Sequence, residues 1–387
     1  MPRSLKRVPI VIASCVAASL LAVGPARAGT VSDAQNARIE KAFAEFQKRG
    51  AIPDASAPVV QWSNAFERGS RYYQIKTNTS RDIAVYVGTI MDAQAVALRK
   101  IFRFPMKLRR INIWATRTRE DFVNVAASEL GIPVGPTTGG FWTRARGGTI
   151  VLPYVKEANL HPGNVMMHEA THQFLHAAIG DRIPTWVDEG LAVMFEESRY
   201  NPVERRLEVF IVPRARLLHL QMEMRMNAHV KLDELLKTPQ YAFTARHYAA
   251  AWSFCYWVFR SAADDHQETL RRQKAFNTYL FDIKANRTNV GRLFMYLRMG
   301  RADAAKKWKK WVLALDPDDE RGGTRLKGEP PYTPKPKPKR KGPEVGGPAL
   351  ELPSELLKML REGKEIPPEM IKKLLKEQRK KQQEQNR

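Results

Sequence analysis

Cysteine is scarce in this chain: among its 387 residues only Cys15 and Cys255 are present. Removal of an N-terminal segment would leave Cys255 alone, so we expect the folded protein to hold together without disulfide bonds. Cys255 lies within an apolar helical run and is interpreted as a buried thiol. The apolar stretch at residues 8–23 is about 16 residues long, short of the roughly 20 that a membrane-spanning helix needs.

Acidic residues are outnumbered as well. The chain has 40 Asp and Glu residues against 64 Lys and Arg residues, which gives a net charge of +24. The excess is spread along the chain and enriched at its end, where residues 321–387 carry 18 basic and nine acidic side chains. With 43% hydrophobic and 27% charged residues, the composition is globular, and the length fits one large or two ordinary domains.

The N-terminus has the pattern of a secretory signal peptide over residues 1–28. Basic residues precede the apolar stretch at residues 8–23, and Ala26, Arg27 and Ala28 form a small-x-small cleavage site. We therefore expect an exported protein, periplasmic or extracellular, with no transmembrane span in the mature chain. A lipoprotein cleavage site at Cys15, with that residue lipidated, is the alternative.

One short segment, His168-Glu169-Ala170-Thr171-His172, carries metal chemistry. Residues four apart lie on the same face of a helix, so His168 and His172 can offer two imidazoles to one ion. Glu169 is one step around the helix, where its carboxylate can act as a general base on water. The alternative is a pair of structural histidines.

Two imidazoles do not complete a catalytic zinc site, which usually has three protein ligands. His176 is excluded, because it lies about 12 Å from His168 along the helix axis at about 1.5 Å per residue. The metzincin pattern is also missing, since Leu175 and Ala178 replace its Gly and His. A better candidate lies in the segment 184–192, where a second helix after the turn at Gly180 would return Glu189 to the first helix.

The motif His168-Glu169-x-x-His172, followed by Trp186-x-x-Glu189-Gly190-Leu191-Ala192, resembles the gluzincin zinc metallopeptidases. The resemblance implies that Glu189 is the third ligand of Zn²⁺. It also implies that Glu196, two helical turns further on, orients a ligating imidazole through the free N–H of that ring. A plain surface acid is the alternative for Glu196. Residues from about 71 to 315 are similar to an uncharacterised secreted bacterial family, a domain of unknown function.

Gluzincins often place a Tyr or His from a later helix over the metal to stabilise the oxyanion. The resemblance therefore suggests Tyr248, next to His247, as a catalytic residue, with a core aromatic as the alternative. Gluzincins also commonly bind extended peptide substrates on the strand before the motif helix. Residues 149–152 would form that strand here, unless they form an ordinary core strand.

The order of elements predicts an α+β fold of zincin type, with a small sheet, active-site helices and a mainly helical C-terminal half. Residues 29–58 are expected to form an N-terminal helix and a joint, and 59–315 the gluzincin-like domain. Asn164 is expected to cap the motif helix. The expected elements are a strand at 72–76, a helix at 82–102, a strand at 110–115, a helix at 118–131, a hairpin from 139–142 and 148–153, and a helix at 243–260.

Residues 316–387 form a basic tail rich in Pro and Lys. Its polyproline-like part at 334–341 is followed by two copies of a short amphipathic helix, at 352–358 and 366–372. Such a tail cannot bury a core by itself, and it is interpreted as a docking segment for a protein partner or an anionic surface, or as a solvated spacer. Nucleic acid is not expected as a partner, because no recognised binding motif is present.

These features together predict an exported zinc peptidase that acts on peptides or proteins. No Gly-Ala-Met-Glu-Asn-type amine anchor precedes the motif, which argues against an aminopeptidase. Two alternatives remain open: a non-catalytic zinc-binding scaffold that works through its basic tail, and a zinc hydrolase of a non-protein amide such as one in the cell wall.

Overall fold

A computed structural model describes residues 12–13, 60–104, 109–154, 162–201, 206–261 and 266–317. Most of the predicted signal peptide, the predicted N-terminal helix and joint at 29–58, and the basic tail beyond residue 317 lie outside the described residues. No helix among the described residues has both the length and the apolar composition to cross a membrane.

The fold is α+β, as predicted. A mixed sheet has the strand order β1-β5-β6-β4-β3-β2, and β7 and β8 form a separate small sheet. The pairs β3–β4 and β4–β6 are parallel, whereas β2–β3, β5–β6 and β1–β5 are antiparallel. The strands are β1 (Ile12–Ala13), β2 (Phe66–Gly69), β3 (Tyr73–Thr77), β4 (Ile111–Thr116), β5 (Phe141–Thr143), β6 (Thr149–Pro153), β7 (Arg199–Asn201) and β8 (Arg206–Glu208).

Ten α-helices lie within the described residues, and the C-terminal half is almost entirely helical. They are α1 (Arg81–Phe102), α2 (Arg119–Leu130), α3 (Pro162–Ile179), α4 (Thr185–Glu196), α5 (Arg214–Arg225), α6 (Leu232–Leu235), α7 (Ala245–Arg260), α8 (His266–Lys284), α9 (Gly291–Leu297) and α10 (Arg301–Ala314).

The helices on the sheet begin at side-chain caps that can be recognised in the sequence. The Ser80 hydroxyl accepts a hydrogen bond from the Ile83 amide at the start of α1, and the Thr118 hydroxyl accepts one from the Asp121 amide at the start of α2. Such caps satisfy amides that have no partner inside the helix. Gly131 ends α2 with φ +67°, a conformation that favours glycine. These boundaries fall within one or two residues of the predicted ones.

Helix α3 lies between the two main hydrophobic cores. Its N-terminal half packs with α1 and β6 in the core against the sheet, and its C-terminal half packs with α4, α7 and α8 in the helical core. As a result, 15 of its 18 residues are buried. Polar side chains on α3 must therefore find partners inside the protein.

The structure decides between the two interpretations of residues 149–152, and it shows that the prediction for Asn164 is wrong. Strand β6 pairs with β4 on one side and β5 on the other, so its backbone groups are already used and it is an ordinary interior strand rather than a free substrate-binding edge. Helix α3 begins at Pro162, so Asn164 lies inside its first turn and does not cap it.

Candidate metal centre

Helices α3 and α4 bring the predicted ligands together. Gly180 adopts φ +106° directly after α3, which ends the helix and turns the chain. The connection to α4 then takes only residues 181–184. The two helices pack along each other, and this packing returns Glu189 to the face of α3 that carries His168 and His172.

The three side chains meet at one carboxylate oxygen. Glu189 Oε2 lies 3.3 Å from His168 Nε2 and 3.4 Å from His172 Nε2. All three residues are fully buried, and their ligand atoms lie within 4.8 Å of one another. No other group of three metal-ligating side chains occurs in the part of the chain that the structure describes.

The other ring nitrogen of each histidine is held by a buried carboxylate. His168 Nδ1 lies 3.0 Å from Glu196 Oε2, and His172 Nδ1 lies 2.8 Å from Asp188 Oδ1. These contacts fix both Nδ1–H groups as donors to carboxylates, which leaves each Nε2 lone pair aimed at the centre. This is the arrangement that metal-ligating histidines commonly have.

A buried metal ion fits this centre. His168 Nε2, His172 Nε2 and Glu189 Oε2 are buried atoms without a hydrogen-bond partner among the described residues. Buried polar atoms without partners are rare and costly, and here three of them converge. An ion with a preference for two imidazoles and one carboxylate would satisfy all three. The residues thus form a group that can hold a metal ion.

Glu169 lies beside this group without belonging to it. Its Oε2 accepts a hydrogen bond of 3.0 Å from the Trp142 backbone amide on β5, and its Oε1 is buried without a partner among the described residues. Strand β5 therefore holds one oxygen of Glu169 and leaves the other available for a proton.

Burial and mutual charge set the protonation of these groups. Burial raises the pKa of Glu169 to about 7, even though His172 and His168 act in the opposite direction. Burial alone would also raise the pKa of Glu189, but the nearby His172 and His168 hold it at about 2. The centre thus keeps one anionic carboxylate for the ion and one carboxyl that can take up and release a proton near neutral pH.

The remaining predicted residues also lie near the centre. Glu196 is fully buried rather than a surface acid, and its Oε1 accepts a hydrogen bond of 3.0 Å from Arg216 Nε on α5. Tyr248 on α7 is buried, with its ring centroid 6.5 Å from that of His168. His176 is outside the ligand group, as expected; its side chain is largely buried, and its Nε2 lies 3.0 Å from Asp188 Oδ2.

Sequence reasoning missed three residues that contact the ligands or their partners. Asp188 bridges His172 and His176, Arg216 pairs with Glu196, and Gln240 donates a hydrogen bond of 2.6 Å to Glu189 Oε1. Asp188 had a visible signal, because it is an acidic residue directly before the predicted ligand in a segment that is otherwise apolar. Arg216 and Gln240 are distant in sequence, and no local pattern marks them.

Comparison with known proteins places this centre within one matched segment. A family model described as a protein of unknown function, DUF1570, matches residues 164–277. A search of curated proteins gives no match. The matched segment runs from the first turn of α3 into α8, so it contains His168, Glu169, His172, Glu189 and Tyr248. This segment of the chain, which contains the three candidate ligands, is thus similar to an uncharacterised family.

Proposed function

We propose that this protein is a zinc-dependent peptidase in which His168, His172 and Glu189 hold the ion. The observation that carries the proposal is the convergence of three buried, unpartnered ligand atoms beside the carboxyl of Glu169. Two imidazoles and one carboxylate form a common protein ligand set of catalytic zinc, which keeps one further position open. Zinc held there would supply Lewis acidity and a lowered pKa for water.

Glu169 is the general base and then the general acid in this proposal. The backbone amide of Trp142 holds Oε2 and fixes the direction of the carboxyl group. The free Oε1 can accept a proton from the attacking water and return it to the leaving amine. Burial of Glu169 raises its pKa, which favours a carboxyl that can hold the proton and then return it.

Tyr248 is assigned to the oxyanion. Its ring lies next to His168, on a helix that packs against α4. The Phe243 ring contacts Tyr248 edge-on at 5.1 Å between centroids and supports its position. A phenol in this position can donate a hydrogen bond to the developing negative charge.

A structural metal centre is the second candidate. One observation favours it: the side chains of His168, Glu169, His172 and Glu189 are all 0% exposed. Structural zinc sites are closed, whereas catalytic sites need access for a substrate. In that case the basic tail would be the working part of the molecule.

The deciding experiment compares the zinc-loaded protein with its Glu169→Gln variant on a mixed peptide library. For a peptidase, both proteins bind one zinc ion but only the wild type cleaves peptides. For a structural centre, both bind zinc, neither cleaves, and chelation lowers the free energy of unfolding in both. A His172→Ala variant is the control that loses zinc itself.

Export and docking of the tail belong to the same proposal. Cleavage at the predicted site would give a mature chain that starts at Gly29. N-terminal sequencing of the protein purified from the cells that produce it would detect this new N-terminus. Binding of the full chain, but not of a chain ending at residue 317, to anionic vesicles would support a docking function for the tail.

A further inference from the structure

The two oxygens of Glu189 have different partners. Oε2 lies between the two imidazoles, at 3.3 Å from His168 Nε2 and 3.4 Å from His172 Nε2. Oε1 accepts a hydrogen bond of 2.6 Å from the side-chain amide of Gln240. A carboxylate beside a metal ion can bind through one oxygen or through both, and here one of them is already engaged.

Gln240 reaches Glu189 from a remote part of the chain. It opens a 3₁₀ turn (Gln240–Ala242) in the connection between α6 and α7, 51 residues after Glu189. The turn is closed by hydrogen bonds from Ala242 to Pro239 and from Phe243 to Gln240. Its next residue, Tyr241, is almost fully exposed. The turn thus lies at the surface and makes its inward contact through Gln240.

The chemistry of this contact differs from that around the other two carboxylates of the centre. Glu196 pairs with Arg216, and Asp188 pairs with His172 and His176. Within the described ranges, no lysine or arginine lies at ion-pair distance from Glu189. Its hydrogen-bond donor is a neutral amide, which holds the oxygen in place and leaves the full negative charge for an ion.

We propose that Gln240 is a positioning residue that limits Glu189 to coordination through Oε2 alone. The inference rests on the metal centre proposed above. By holding Oε1, the amide keeps the ion at three protein contacts and preserves a position for substrate or water. Without the amide, Oε1 would be free to bind the ion as an additional ligand. Glu189 would also lose a hydrogen-bond partner that holds its carboxylate in position.

The test uses the full chain with Gln240→Met, which keeps the length of the side chain and removes the donor. Gln240→Asn is a second variant, since its amide is one methylene too short to reach Glu189. Tyr241→Ala, on the same exposed turn, is the matched control. Zinc affinity is measured by competition with a chromophoric chelator. The visible absorption of the cobalt-substituted protein is measured as well, because this absorption becomes weaker when cobalt gains a ligand.

We expect both Gln240 variants to show reduced cobalt absorption and a zinc affinity that differs from that of the wild type about 10-fold or more, while Tyr241→Ala matches the wild type. Equal affinity and equal spectra in all four proteins would overturn the inference. A wild type that binds metal but cleaves nothing would refute the peptidase and leave the positioning role measurable. A wild type that takes up no metal would overturn both proposals.

Discussion

Replacement of Glu196 by Gln tests the buried network behind the metal centre. Glu196 accepts hydrogen bonds with both oxygens: one from His168 Nδ1 at 3.0 Å and one from Arg216 Nε at 3.0 Å. A glutamine in the same place has one oxygen and one amide group that can only donate. Whichever way it turns, either His168 or Arg216 then faces a donor instead of an acceptor.

The cost follows from burial. One buried donor without a partner costs about 1–3 kcal/mol, and removal of one charge from a buried ion pair costs about 3–5 kcal/mol. We therefore expect Glu196→Gln to lower the free energy of unfolding of the metal-free protein by about 3 kcal/mol or more. Zinc affinity should also fall about 10–100-fold, because His168 loses the partner that orients it.

The assay is urea denaturation in the presence of a chelator, followed by circular dichroism. Glu129→Gln is the matched control, because Glu129 makes a comparable 3.0 Å pair with Arg146 at the surface. Such an exposed pair contributes only about 0–1 kcal/mol. If the two substitutions have the same effect on stability, then Glu196 does not lie in the buried network described above.

Three further predictions follow from the packing and the charges. Gly190→Ala should destabilise the protein by about 1–3 kcal/mol, because the new Cβ would lie 2.7 Å from the Ala251 carbonyl oxygen and 2.8 Å from Cys255 Sγ. Gly135→Ala, whose Cβ would make only ordinary contacts, is the control in thermal unfolding. Asp282 would have its pKa raised by burial, but hydrogen bonds from Arg292 and its neighbours lower it from 3.8 to about 2. A carboxyl whose pKa is lower in the folded than in the unfolded state stabilises the folded protein at pH values above the unfolded pKa. The difference in unfolding free energy between the wild type and Asp282→Asn should therefore be constant above pH about 5 and shrink as the pH falls from 3.8 towards 2. A difference that does not change with pH would refute this. Zinc at 100 times its dissociation constant should raise the free energy of unfolding by about 2.7 kcal/mol, and His172→Ala should abolish that gain in a thermal shift assay.

Much of the fold could be predicted because its signals are local. The alternation of Tyr73, Ile75 and Thr77 into the core gives the strand, and Ser80 or Thr118 before an apolar periodic run gives a helix start. The pairing of β6 on both sides could not be read from its sequence. An interior strand and an edge strand can have the same short apolar sequence, and only the pairing with β4 shows that β6 is an interior strand.

The same distinction applies to the metal centre. His168 and His172 could be predicted as a pair because residues four apart share one face of a helix. Glu189, on the next helix, was expected because Trp186-x-x-Glu189 resembles the second gluzincin motif. The burial of Glu196 could not be predicted in the same way. Its neighbour Glu197 has the same charge and is also buried, so the contacts of Glu196 with His168 and with Arg216 on α5 could only be seen in the structure. Contacts from distant helices have no periodic signature in the sequence.

The buried charges around the centre explain why an ion belongs there. Burial alone would lower the pKa of both histidines. For His168, the nearby carboxylates of Glu189 and Glu196 outweigh this effect and raise the pKa, and for His172 the charges of Asp188 and Glu189 raise it well above its usual value. The carboxylates around the centre therefore favour positive charge at the imidazoles. A bound metal ion would supply that positive charge, and each imidazole must be neutral at Nε2 to bind it. The network that holds the histidines thus supplies the negative charge that a divalent cation needs in a fully buried site.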